Sequence, residues 1–306
     1  MSEPNTEKRS PANHNATAGI IMEPRNILYC GDAGIADGLM LSVLSLCNAV
    51  DAPLHIFVLT MSLKTPQKHF HPVPADLTEY LDSIVRHKNP QSRVSRIDAS
   101  ALFAAAPPAA NMQTRFTPYC MLRLYADLLP QIPDRILYLD CDVLCRQDFS
   151  DFYFTDMGAC AVGGVLDYWG RWFYRRKLFS LDYLNSGVLL LNMARIREDN
   201  LFGACRSRCA QKEMFLPDQA ALNALAEKKM FFPRKYNEQK KLHRDTVFQH
   251  FTTTFRFFPY FHALTVKPWQ TERMHDVLGL HEYDGMLQEF SRHMAQYENQ
   301  VRNEKE

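Results

Sequence analysis

Two aspartates one residue apart, Asp140 and Asp142, close an unbroken apolar run, Ile136-Leu137-Tyr138-Leu139, and are followed by Val143 and Leu144. A bounded apolar run of this length reads as a buried strand, above all in a parallel sheet. Two carboxylates cannot be buried unpaired, because desolvating each charge costs several kcal/mol. They must sit at the strand's end and share something positive. In open α/β sheets that end is also where ligands bind. Hard divalent cations take carboxylate oxygens and keep open positions for substrate phosphates, so a strand-borne Asp-x-Asp suggests a metal holding a diphosphate. The bare triplet is cheap by composition. The uninterrupted run before it gives it weight.

Other residues have types that would serve the same chemistry. Asp32 follows Asn26-Ile-Leu-Tyr-Cys-Gly, either facing a ligand or capping a turn. Asp167 ends the strand-like Cys160-Ala-Val-Gly-Gly-Val-Leu. Asn185, Ser186 and Gly187 put small hydrogen-bonding groups at the head of an apolar run, where backbone must approach something closely. Asp218 and Gln219 lie in the first turn of a helix beginning near Leu216, where plain capping is the simpler role for Asp218. Arg123 stands among the apolar residues of a helix opened by Thr117-Pro118, as a snorkelling side chain or a phosphate clamp. His250, in Val247-Phe-Gln-His-Phe, and Lys267, in Lys-Pro-Trp, complete the set. The basic-aromatic stretch Trp169 to Lys177 suits a loop touching sugars or phosphates.

The elements that must position these residues alternate. A strand from Asn26, a helix over Leu39 to Val50 and a strand over Leu54 to Leu59 begin a doubly wound α/β fold. Residues 62 to 92 read as helical and solvated, broken at His69 to Pro74, with a third strand over Arg93 to Asp98. Residues 99 to 117, rich in Ala and Pro, read as a loop over the site, and Met121, Leu122, Leu124, Leu128 and Leu129 as core-facing in the helix that follows. Residues 1–22 are polar and expected to be disordered, 23–269 to form the α/β domain, and 270–306 a tail of one or two amphipathic helices.

Composition narrows the classes. The 306 residues carry a net charge of +1, which gives no electrostatic argument for a nucleic-acid partner or an anionic membrane surface, and no nucleic-acid partner is expected. Apolar runs fall well short of a membrane span, and the polar N-terminus lacks a signal-peptide core. The 8 cysteines show no Cys-x-x-Cys spacing and read as reduced thiols of a cytoplasmic protein.

Taken in order, the blocks Ile27 to Asp32, Arg123, Leu137-Tyr-Leu-Asp-Cys-Asp142, Val165-Leu-Asp167, Leu184-Asn-Ser-Gly-Val188, Asp218-Gln219 and Lys267-Pro-Trp269 resemble the retaining glycosyltransferases of family eight. That group includes glycogenin, galactinol synthases and bacterial lipopolysaccharide glucosyl- and galactosyltransferases. The resemblance implies a GT-A nucleotide-diphospho-sugar transferase fold, α/β with a mixed central sheet flanked by helices. It implies a manganese ion (magnesium as the alternative), a UDP-glucose or UDP-galactose donor and a saccharide acceptor, an envelope glycan by family. By matching position Asp140 and Asp142 would ligate the metal, and Asp32, Arg123, Asp140 and Lys267 would hold the donor. Asp167, Asn185, Asp218 and Gln219 would surround the transferred sugar. One departure stands out. The family's metal-ligating histidine sits in a His-Phe/Tyr-x-Gly-x-x-Lys-Pro-Trp run, whereas no glycine lies between His262 and Lys267. His250-Phe251 looks more like that His-Phe, with an aromatic insertion, Phe255 to Phe261, after it, so His250 is favoured over the alternative His262.

The resemblance points to hexosyl transfer with retention, by a covalent route or by a front-face route. A nucleotidyltransferase is the nearest enzymatic rival, but Gly31 and Gly34 are sparse for its phosphate loop. A non-catalytic sugar-nucleotide-binding protein is the other alternative. No transmembrane segment is expected; peripheral membrane contact stays open, although the tail lacks the basic-aromatic anchor some relatives carry.

Overall fold

A computed structural model describes residues 22–66, 68–113, 117–168, 182–256 and 262–303. The apolar runs become a sheet of seven strands in the order β10-β8-β9-β6-β1-β2-β5. These are β1 (Arg25–Cys30), β2 (Leu54–Thr60), β5 (Arg93–Asp98), β6 (Arg135–Leu139), β8 (Val162–Leu166), β9 (Leu184–Asn192) and β10 (Lys229–Phe231). The reason the runs lack polar interruption is visible in the packing. Leu28, Phe57, Tyr138, Leu189 and Leu191 point into one core, and Ile27, Tyr29, Ile56, Val58, Leu137, Leu139, Val188 and Leu190 into the other. Side chains alternate across a strand, so a sheet covered on both faces must be apolar at every step.

One face is covered by α1 (Ala36–Ala49) and α2 (Ala75–Lys88). The other is covered by a 3-10 helix (Pro118–Leu128), α6 (Leu201–Gln211) and α7 (Pro217–Leu225); α3 (Ser100–Ala105), α4 (Ser150–Tyr153) and α5 (Met193–Glu198) are shorter. Strand β9 alone runs against its neighbours β6 and β8, while β6 pairs parallel with β1. The sheet is therefore mixed, as the resemblance implied.

Several local expectations change. Residues 62–74 are not helical; they hold a small hairpin, β3 (Leu63–Lys64) with β4 (His69–Phe70), and the helix begins only at Ala75. Pro74 has no N–H to give, so it suits the residue just before the first turn. The stretch 99–117 is no open loop in its described part: α3 and a 3-10 turn (Ala109–Asn111) fill it, and buried Asn111 donates to the carbonyls of Cys209 and Lys212 at 2.6 and 2.7 Å. The helix at Pro118 is 3-10 rather than α, and Leu128 faces solvent, 45% exposed, instead of the core. The expected disorder over 1–22 and the basic-aromatic stretch 169–177 lie essentially outside the described residues.

Past the sheet, β7 (Val143–Cys145) pairs antiparallel with β11 (Phe248–His250), and β12 (Thr254–Arg256) with β13 (His262–Leu264). The tail is a helical turn α8 (Thr271–Arg273), a π turn (Met274–Leu278) and a long α9 (Asp284–Asn303). It is packed. Met274, Tyr283 and Leu287 join Leu41, Leu144 and Phe251 in a third core, and Tyr80 Oη lies 3.0 Å from His293 Nδ1. Among the described residues no helix is long and apolar enough to cross a membrane.

Candidate functional site

The carboxyl ends of β1, β6 and β8 carry Asp32, Asp140 with Asp142, and Asp167 to one edge of the sheet. Because β9 is reversed, its first residues, Asn185 to Gly187, arrive at that same edge. The start of α7 adds Asp218 and Gln219, and β11 places His250 opposite Val143. Backbone bonds hold the acidic turn: Asp140 N–H donates to Gly187 O at 2.8 Å, and Phe251 N–H to Asp142 O at 3.0 Å.

At the centre His250 Nε2 lies 3.3 Å from Asp142 Oδ1 and 3.7 Å from Asp140 Oδ2, and Lys267 Nζ is ion-paired with the other Asp142 oxygen. Burial alone would raise the Asp142 carboxyl. The His250 and Lys267 charges outweigh it and hold that carboxyl well below the usual carboxylate range. Burial would likewise lower the His250 imidazole, yet Asp142 and then Asp140 raise it above its ordinary value. The donor atoms of Asp140, Asp142 and His250 all lie within 4.8 Å of one another. Two carboxylate oxygens and one imidazole nitrogen suit Mn2+ or Mg2+ chemistry, with open positions left for a ligand. Gly187 makes the room: a Cβ there would strike the His250 ring, with Nδ1 at 2.6 Å, and Asp140 Oδ2 at 2.9 Å. A side chain would fill this cradle.

His250 is aimed by a residue that sequence reasoning missed. Its Nδ1 lies 3.3 Å from Asn237 Oδ1, so a proton on Nδ1 turns Nε2 toward the two aspartates. Asn237 donates in turn to Asn185 Oδ1 at 2.9 Å, which also accepts from Gly187 N–H at 3.0 Å. Asn185 Nδ2 reaches Asp167 Oδ2 at 3.3 Å, and Gln219 Nε2 donates to the same oxygen at 2.7 Å. Gln219 Oε1 accepts from Ser186 N–H at 2.9 Å. A buried polar chain thus runs from the histidine to Asp167. Nothing in the run Tyr236-Asn237-Glu238-Gln239 marks Asn237 in the sequence; only the fold brings it beside Asn185.

Arg123 is no snorkelling surface residue. Its side chain is 3% exposed, 3.2 Å from Asp140 Oδ1 and 3.3 Å from Asp218 Oδ2; it donates to Ser186 O and lies 3.8 Å over the Tyr138 ring. Tyr138 Oη also donates to Asp140 Oδ1 at 2.7 Å, a second contact that the apolar run did not announce. Asp218 does not cap α7, since Leu216 occupies the cap without a side-chain bond. Burial raises its carboxyl, opposed by Arg123 and reinforced by Asp140. Asp32 does cap, accepting from Gly34 N–H at 3.0 Å. His262 lies in β13, where its backbone pairs with Arg256, and its side chain falls outside the described residues.

The comparisons with known proteins come to the same place. A family model described as glycosyl transferase family 8 matches residues 26–273. A lipopolysaccharide glucosyltransferase, WaaO of Escherichia coli K12, is 27% identical over 150 residues, 41% of this chain and 44% of that protein. A probable glycosyl transferase, Gly of Streptococcus gordonii, is 29% identical over 147 residues, 47% of this chain and only 19% of that protein. The chain thus matches less than half the length of either relative. Among solved structures, the galactosyltransferase LgtC in complex with donor and acceptor sugar analogues superposes with a TM-score of 0.57 at 19% identity, over 86% of this chain and all of LgtC. The fold is that of the GT-A glycosyltransferases.

Proposed function

Because the chain belongs to glycosyl transferase family 8, we propose that it moves a hexose, glucose or galactose, from a UDP-sugar to a saccharide acceptor with retention at the anomeric carbon. The observation that carries this reading is the convergence of Asp140, Asp142 and His250 beneath Lys267. An envelope glycan is the acceptor that the Escherichia coli relative's name suggests.

In this reading Asp140, Asp142 and His250 hold Mn2+, or Mg2+ in its place. The ion, when bound, supplies Lewis-acid stabilisation of the departing diphosphate. Lys267 leaves Asp142 and neutralises the same developing charge, the largest electrostatic demand of the step. Asp32, at the end of β1, faces the nucleotide base. Arg123, saturated by Asp140, Asp218 and Ser186, acts on the donor by fixing the angle of Asp140. Asp167, Asn185, Asp218 and Gln219 line the sugar, whose anomeric carbon gains oxocarbenium character. Both ends of the Gln219 amide are engaged and Asp218 is paired with Arg123. That arrangement favours the front-face route, in which the leaving oxygen takes the acceptor's proton, over attack by a protein nucleophile.

The test is calorimetric titration of UDP with Mn2+ and with EDTA, beside an Asp140→Asn, Asp142→Asn double variant, followed by turnover of UDP-glucose and UDP-galactose. Metal-dependent binding lost in the variant, and UDP rather than pyrophosphate as product, is the expected outcome. Equal binding in EDTA would sink the metal–diphosphate reading.

A further inference from the structure

The tail holds a second cluster of metal-ligating side chains that the site above does not use. The π turn Met274–Leu278 ends at Gly279, whose φ of +63° lies in the left-handed region that glycine tolerates. Gly279 N–H donates to His275 O at 3.0 Å and Leu280 N–H to Met274 O at 3.1 Å, so the chain folds back on itself. His281 returns over His275, their rings stacked at 4.3 Å and 27°. Asp284, opening α9, places Oδ1 at 2.7 Å from His275 Nε2 and Oδ2 at 3.6 Å from His281 Nδ1.

We propose that His275, His281 and Asp284 form a second divalent-cation site, of the borderline class typified by Zn2+, which clips the start of α9 to the turn before it. The three donor atoms lie within 4.8 Å of one another. Two imidazole nitrogens and one carboxylate oxygen are softer than the oxygen-rich set at Asp140, and suit Zn2+ or Co2+ over Mn2+ or Mg2+. Three protein ligands leave a fourth position for water. The donors ride on a fixed base, because Met274, Tyr283 and Leu287 around them are buried in the third core. Isolated π turns inside helices are uncommon and recur at functional positions. Here the turn sets the two imidazoles on one side of the chain.

The test titrates Zn2+, and separately Co2+, into the 306-residue chain carrying Asp140→Asn and Asp142→Asn, so that the site at Asp140 no longer contributes to uptake. The expected result is one ion per chain, with the visible absorption of a low-coordinate site for Co2+. His281→Ala in that background removes a side chain that is 64% exposed, so its circular dichroism stays unchanged. Its Zn2+ affinity falls by at least about 100-fold, more than loss of an outer-shell partner costs. His281→Cys, which restores a donor, restores binding. In the chain with Asp140 and Asp142 intact, His281→Ala lowers Zn2+ stoichiometry by one. Absence of saturable Zn2+ uptake in the double-Asn background, or uptake unchanged by His281→Ala, overturns the proposal.

Discussion

Asn237 shows how much of this site is set by a residue that acts through its neighbours, His250 on one side and Asn185 on the other. With Asn237 Oδ1 3.3 Å from His250 Nδ1, a proton on Nδ1 is held by the amide oxygen and Nε2 is the nitrogen left to meet the aspartates or a metal. Asn237→Leu keeps the volume and removes the acceptor. Its expected effect is a Mn2+ affinity lower by about 10- to 100-fold with the fold intact, read by calorimetry and circular dichroism. The same histidine sets a pH dependence. Its folded value is raised above the ordinary 6.5, so its pairing with Asp142 stabilises the metal-free protein fully below that value. The contribution fades as pH rises through the raised one. Asp142 behaves oppositely: depressed below 3.8, it loses its contribution only far into acid and stays ionised throughout the His250 window. A metal ion must displace the His250 proton. Mn2+ affinity should therefore climb with pH up to the raised value and then level off, with about one proton released per ion below it. Calorimetry in buffers of different ionisation enthalpy reads that proton directly.

At the scale of elements, the inner strands were legible because runs such as Ile27 to Cys30 and Leu54 to Leu59 are buried on both faces and bounded by turn residues, whereas the edge strand β5, Arg93–Asp98, buries only Ile97. The hairpin at residues 63–70 was not, since two-residue strands leave no period to read. Nor was the 3-10 character of Pro118–Leu128, whose apolar spacing fits an α-helix as well. Among site residues, the strand-end aspartates were legible for the electrostatic reason that acids do not stay mid-strand. Arg123 was ambiguous because burial of an arginine depends on its partners, Asp140 and Asp218, both distant in sequence. The reversed strand β9 sharpens one element-scale prediction. Gly187 stands where β9 enters the site, and Gly187→Ala puts a methyl group into the His250 ring and Asp140 Oδ2. Backbone and ring cannot both hold place, so Mn2+ binding should be lost, while the buried remainder of β9 keeps the protein folded. A variant that binds Mn2+ like the parent would show the cradle is looser than drawn.

For the molecule as a whole, the tail belongs to the packing of the domain. Met274, Tyr283 and Leu287 bury against Leu41, Leu144 and Phe251, and Tyr283 Oη donates to Gln249 at 2.5 Å, next to His250. At about 1.5–3 kcal/mol for each fully buried large side chain, removing residues 270–306 should cost roughly 5 kcal/mol or more. Chemical denaturation reads that as a lower midpoint. The lengths spanned by the contacts carry a last consequence. Lys267 meets Asp142 across 125 residues, Arg123 meets Ser186 across 63 and Asn237 meets Asn185 across 52. Contacts of such separation cost loop-closure entropy before they repay it, so the pocket is expected to be complete only once the domain has folded. Ligand binding is then an all-or-none reporter of completed folding. A titration counts finished molecules, and amide exchange slowed by ligand should be shared by the central strands instead of confined to the residues it touches.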